Sequence, residues 1–185
     1  MPIPAFDQIL NVLPPHLGDA QQKADHSPYP CTMPELCRRF GTSDSRRDIL
    51  EGFLGLRSKL FDMGLRGFQW LDGIFLENIE AQANRDPGDI DVVTFVADPL
   101  GRHELEKLIG ENSWLRKPNE LKRTYHVHHF LLPLGTEPRL LVEFVCYWYG
   151  LFSHRRDGLW KGMLTVDLED RSEDTAATKL LGNMS

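Results

Sequence analysis

The side chains best suited to chemistry lie between Phe68 and Val96, in FQWLDGIFLENIEAQANRDPGDIDVVTFV. This stretch reads as an apolar strand ending at Asp72-Gly73, a polar loop, and a second apolar strand opened by Asp89-Ile90-Asp91. Alternation along a strand puts Asp89 and Asp91 on one face and Ile90 and Val92 on the other. Neighbouring carboxylates repel unless a positive charge sits between them, and a hard divalent cation such as Mg²⁺ is a common solution. A plainer explanation also fits: Asp89 as a turn residue after Pro87-Gly88, and Asp91 as an edge-strand charge facing water. The Gly73 turn upstream favours the metal.

With that turn, the stretch resembles the nucleotidyltransferase superfamily (the DNA polymerase β-like fold). The superfamily signature is an apolar strand, Gly-Ser or Gly-Gly, a loop, and Asp-x-Asp/Glu on the next strand. The chain is similar to a small uncharacterised bacterial nucleotidyltransferase-like family. The residues that carry the likeness are Leu13-Pro14-Pro15, Arg39-Phe40-Gly41 with Arg46-Arg47, Asp72-Gly73-Ile74-Phe75, Asp89-Ile90-Asp91-Val92 and Trp160-Lys161-Gly162. They span most of the chain.

The resemblance implies an α+β fold, a nucleotidyltransferase-like short mixed β-sheet with helices packed on it. It also implies Mg²⁺- or Mn²⁺-dependent transfer of a nucleoside monophosphate from an NTP to a hydroxyl on a protein, RNA or small molecule. Asp89 and Asp91 would be shared ligands of two metals. Asp72, Gly73 and Ile74 would form the nucleotide-binding turn, where a missing Cβ lets backbone N–H groups approach phosphates. Ile74 departs from the pattern, because Ser or Gly is usual there, and its branched side chain is expected to pack in the core. The loop before Asp89 is also slightly longer than usual.

The third acid of the family should stand on a later strand. The strand expected over Tyr125–Leu132 offers His128 or His129 at that place, and Glu143 is the only acid set into a later apolar run. Glu143 has an alternative role as an ion-pair partner of Arg155 or Arg156. Arg155, Arg156 and Lys161 would hold phosphate oxygens, or else flank a turn as surface charge. The altered turn and missing acid leave a second implication open: a degenerate member that binds a nucleotide or a partner protein without chemistry. Such a protein could be one half of a toxin–antitoxin or phage-defence pair.

Composition narrows the partners. A chain of 185 residues, 41% hydrophobic and 26% charged, is long enough for one domain with a sizeable core. No apolar run approaches the ~20 residues of a membrane span, and the N-terminus lacks a signal-peptide pattern. Cys31, Cys37 and Cys146 are scattered as free thiols would be, which fits a cytoplasmic protein. A net charge of −6 argues against a surface for long duplex DNA but leaves room for a small anion. His126 and His128 would alternate on one strand face, either packed and solvated or joined by a third ligand around a soft metal.

The elements that must position these groups follow from local signals. Residues 1–31 are proline-rich and predict an extended arm with at most one short turn of helix near Phe6–Leu10, either packed on the domain through Ile9, Leu10, Val12 and Leu13 or a disordered tail, before a single domain over 32–185. Thr32 to Glu35 matches a capping box and starts a short helix, and a long helix follows over 44–63. Strands are expected at 67–72 and 90–96, and a helix over 102–109 after Asp98-Pro99. Lys122–Leu134, Arg139–Tyr149 and Met163–Leu168 read as further strands, the second apolar enough to be central. An acidic mobile stretch and a small terminal helix close the chain.

Overall fold

Thr32 accepts from the Glu35 N–H while the Glu35 carboxylate accepts from the Thr32 N–H, and this capping box starts α1, Met33–Phe40. Ser43 caps α2, Asp44–Asp62, whose Ile49, Leu50, Phe53, Leu56 and Leu60 recur at helical spacing and are buried. The computed structural model describes residues 3–97 and 102–184, so the Asp98-Pro99 break lies outside the described residues. Gly52 on α2 permits a close approach: a Cβ there would stand 2.0 Å from the Tyr125 carbonyl oxygen.

The remaining elements are β1 (Tyr29–Pro30), β2 (Arg66–Asp72), α3 (Ile79–Ala83), β3 (Ile90–Ala97), α4 (Arg102–Glu111), α5 (Pro118–Tyr125), β4 (Val127–Pro133), α6 (Pro138–Phe152), β5 (Leu164–Leu168) and α7 (Arg171–Gly182). Five strands form one mixed sheet in the order β1-β5-β2-β3-β4. β2 runs antiparallel to both β3 and β5, while β3 pairs parallel with β4 and β1 parallel with β5. The architecture is α+β, with seven α-helices among the described residues.

Strand alternation gives the two faces different fates. Leu71, Ile90, Val92 and Val166 enter the large core shared with α1, α2, α5 and α7. Phe68, Trp70, Val93, Phe95 and Phe130 occupy the other face, which α6 covers with Leu141, Val145, Trp148 and Phe152. Asp72, Asp91 and His128 belong to this second face by the same alternation.

Of the two alternatives for the arm, packing holds: Val12, Leu13 and Tyr29 are buried while Ile9 and Leu10 are exposed, and Tyr29-Pro30 adds an edge strand beside β5. Three expectations need correction. Lys122–Tyr125 is helical, because Pro118 opens α5 and His126 closes it at φ 55°, so β4 starts only at Val127. Arg139–Tyr149 is the body of α6, a helix capped by Glu137, whose carboxylate accepts from the Arg139 and Leu140 N–H groups. The acidic segment near the end is the first turn of α7, held to the core by Asp174.

Candidate metal centre

Asp89, Asp91 and His128 converge where β3 and β4 begin. The Ile90 N–H donates to the His126 carbonyl, so the left-handed turn at His126 sets the parallel register that places His128 across from Asp91. One potential ligand atom from each of Asp89, Asp91 and His128 lies within 4.8 Å of the others, and all three residues are half-buried. His128 Nδ1 stands 3.0 Å from Asp91 Oδ1, and Lys122 Nζ stands 3.0 Å from Asp89 Oδ2. Burial raises the Asp91 carboxyl above its ordinary range and the Asp89 charge adds to this, while the His128 hydrogen bond opposes it. The cluster therefore holds negative charge that its protein partners only partly neutralise.

Gly73 fits tightly against this cluster. It closes β2 at φ 93°, and a Cβ there would lie 2.6 Å from Asp91 Oδ2. A glycine is required both by the backbone angle and by the close approach. A 3-10 turn, Ile74–Leu76, follows at once, and the N–H groups of Ile74 and Phe75 open it, where no intrahelical carbonyl reaches them. Arg46 steadies the far side by donating to the Phe75 and Glu77 carbonyls.

Behind the turn lies a buried ionic group. Lys161 Nζ sits 2.8 Å from Asp72 Oδ1 and 3.0 Å from Glu77 Oε1, and all three residues are buried. Burial pushes the Asp72 carboxyl up to about 7, against the pull of Lys161 and the Gly73 N–H. Burial pulls the Lys161 ammonium down, but Asp72 and Glu77 together hold it above its ordinary value. Asp72 is paired in register with Asp91, so this closed group adjoins the open one.

A family model covers residues 4–167, that of a family of unknown function (DUF6932). The chain belongs to this family. No curated protein and no solved structure matches it significantly. The match runs from the N-terminal arm to β5 and so takes in the candidate centre, the Gly73 turn and the Lys161 group.

The structure brings some expected site residues together and disperses others. Asp72, Gly73, Asp89, Asp91 and His128 meet at one end of the sheet. Glu143 does not join them: it lies on the exposed side of α6 and pairs with Arg139 one turn earlier, because the run that holds it is a helix. Its expected partner is replaced too, since Arg155 pairs with Asp157 and donates to Gln82. Arg156 is exposed, and Lys161 is enclosed by carboxylates instead of facing a ligand. Ile74 is 38% exposed, so it is not a core residue; Phe75 and Leu76 supply that packing. His126 is a helix cap and shares no strand face with His128. The sequence reading missed Lys122 and Glu77 as partners, because neither contact follows from spacing along an element.

Proposed function

We propose that this protein is a nucleotidyltransferase-like enzyme that transfers a nucleoside monophosphate from an NTP to a hydroxyl acceptor, using Mg²⁺ or Mn²⁺. The observation that carries the reading is the convergence of Asp89, Asp91 and His128 beside the Gly73 turn. Two carboxylates and an imidazole suit a divalent ion, and the raised Asp91 carboxyl marks a place where a cation would relieve uncompensated charge. The imidazole tilts the set from Mg²⁺ towards Mn²⁺. These three residues would hold the ion, which when bound neutralises phosphate charge and acidifies the acceptor hydroxyl.

The chain's own groups would do the rest. The N–H of Ile74, which opens the turn, would receive a phosphate oxygen, and the exposed Ile74 side chain would flank the base or sugar. Lys122 would exchange Asp89 for a phosphate when a metal takes the carboxylate. The buried Lys161 group would fix the end of β2 and therefore the position of Gly73.

One observation favours a second reading, binding of a nucleotide or partner protein without turnover. Lys122 and His128 already neutralise part of the acidic pair, and the third family acid is replaced by His128. Turnover separates the two. Labelled NTPs with Mn²⁺ should give transfer that an Asp89→Asn, Asp91→Asn variant loses; metal-dependent binding without transfer supports the second reading.

A further inference from the structure

α6 carries more apolar surface than its own sheet covers. Leu140, Phe144, Tyr147 and Leu151 are 42%, 39%, 60% and 50% exposed. Their spacing of four, three and four residues aligns them in one seam along the helix. Trp148 packs on Phe130 of β4 and Tyr149 on Trp70 of β2, so at about 100° per residue the seam lies on the β4 side of α6. β4 is the outer strand of the sheet. The outermost line of the helix (Arg139, Glu143, Cys146 and Gly150) is polar or small, and beyond it Val142 stands exposed by itself, so the seam is the one aligned run of large apolar side chains on the open side of α6. A contiguous apolar patch on the order of a few hundred Å² is about the largest that an ordinary monomer exposes, and such a patch is often functional.

We propose that the seam is the contact between two copies of this chain, packed antiparallel across a twofold axis passing between the levels of Val145 and Cys146. The seam reads the same from both ends: aliphatic, aromatic, aromatic, aliphatic. An antiparallel copy in this register sets Leu140 against the partner helix's Leu151, and Phe144 against its Tyr147. Each pair occurs twice, as a twofold contact requires. The ends differ in charge: Glu137 and Glu143 outweigh Arg139 towards one end, while Arg155 and Arg156 outweigh Asp157 just past the other. The same register brings the acidic end of each helix to the basic end of the other, and the helix dipoles oppose favourably. A parallel copy would join like ends.

Sedimentation of the full chain tests the contact. The wild type should sediment as a dimer, and a Phe144→Glu, Tyr147→Glu variant as a monomer with an unchanged circular dichroism spectrum, since both side chains are already exposed. In a Cys146→Ser background, Leu140→Cys mixed with Leu151→Cys should give the mixed disulfide on mild oxidation. A monomeric wild type, which would leave the seam to a different protein, overturns the proposal. So does a dimer that survives the double Glu variant, or cross-linking only of each Cys variant with itself.

Discussion

Two polar clusters meet the same sheet from opposite faces, and they are built on different plans. On the core face, Asp174 accepts from the Arg57 Nε and Nη2 groups, and Arg57 Nη1 donates to Gln69 Oε1 at 2.6 Å. Gln69 donates to Thr94 Oγ1, which is 2.7 Å from His129 Nε2. This chain links α7, α2, β2, β3 and β4, and Arg57, Gln69, Thr94 and His129 have almost no exposure. On the other face, Asp89, Asp91 and His128 are half-open and have one strong partner each. The first network leaves His129 Nδ1 as its one unpartnered side-chain atom and has little hydrogen-bonding capacity to spare; the half-open one keeps capacity for something that arrives. The difference fits a structural role for the first cluster and supports the proposal of ligand binding at the second.

Breaking the closed cluster should have the largest effect. Asp174→Ala strands the Arg57 guanidinium away from water and should cost about 3–5 kcal/mol in urea unfolding. A loss below ~1 kcal/mol would mean that the network is not a structural tie.

Acid and base sharpen the comparison, because the closed network and the Lys161 group beside the open cluster each contain one group shifted by burial. Burial lowers His129 from 6.5 to about 4, so the unfolded chain takes up its proton first. Its stabilisation is complete above pH 6.5 and is lost as pH falls towards 4. Burial raises Asp72 from 3.8 to about 7, so its contribution is complete below pH 3.8 and is lost as pH rises towards 7. Between these limits the slopes oppose each other, up to roughly 1 kcal/mol per pH unit each. His129→Gln should therefore leave a stability that falls with rising pH, and Asp72→Asn one that falls with falling pH. Urea midpoints across pH 4.5–6.5 check both signs, and equal signs in the two variants would contradict the assignment.

Gly73→Ala acts at the boundary. Its backbone at φ 93° and ψ 179° is essentially closed to other residues and costs about 1–3 kcal/mol, and the added methyl displaces the Asp91 carboxylate, so metal affinity should fall along with the melting temperature. Lys122→Ala should change stability least, by less than ~1 kcal/mol, because the lysine is half exposed. It should nonetheless strengthen Mn²⁺ binding by removing a competing cation from Asp89, as calorimetry would show.

The contrast also explains what could be read from the chain. β2, β3 and the Asp89/Asp91 pair were legible because alternation and the Gly73 turn are local signals. α6 was not, since a nearly unbroken apolar run carries no clear period. Its helical signals were Glu137-Pro138 at the start, the Arg139–Glu143 spacing, and a length beyond that of an ordinary strand. Reading that run as a strand is what placed Glu143 among the site candidates. The Arg57–Asp174 tie joins residues far apart in sequence, and nothing in either helix announces the other. The Lys161 group is half legible: Asp72 and Lys161 are candidates for binding a nucleotide, Glu77 carries no signal, and only the fold shows that the three face one another.

The most direct test of the open cluster is calorimetric titration of the full chain with each NTP in the presence of Mn²⁺ or Mg²⁺, alongside the Asp89→Asn, Asp91→Asn variant. The account predicts metal-dependent nucleotide binding by the wild type, abolished in a variant whose urea midpoint is unchanged or slightly raised. Nucleotide binding that persists in the variant, or no metal-dependent binding by the wild type, would contradict it.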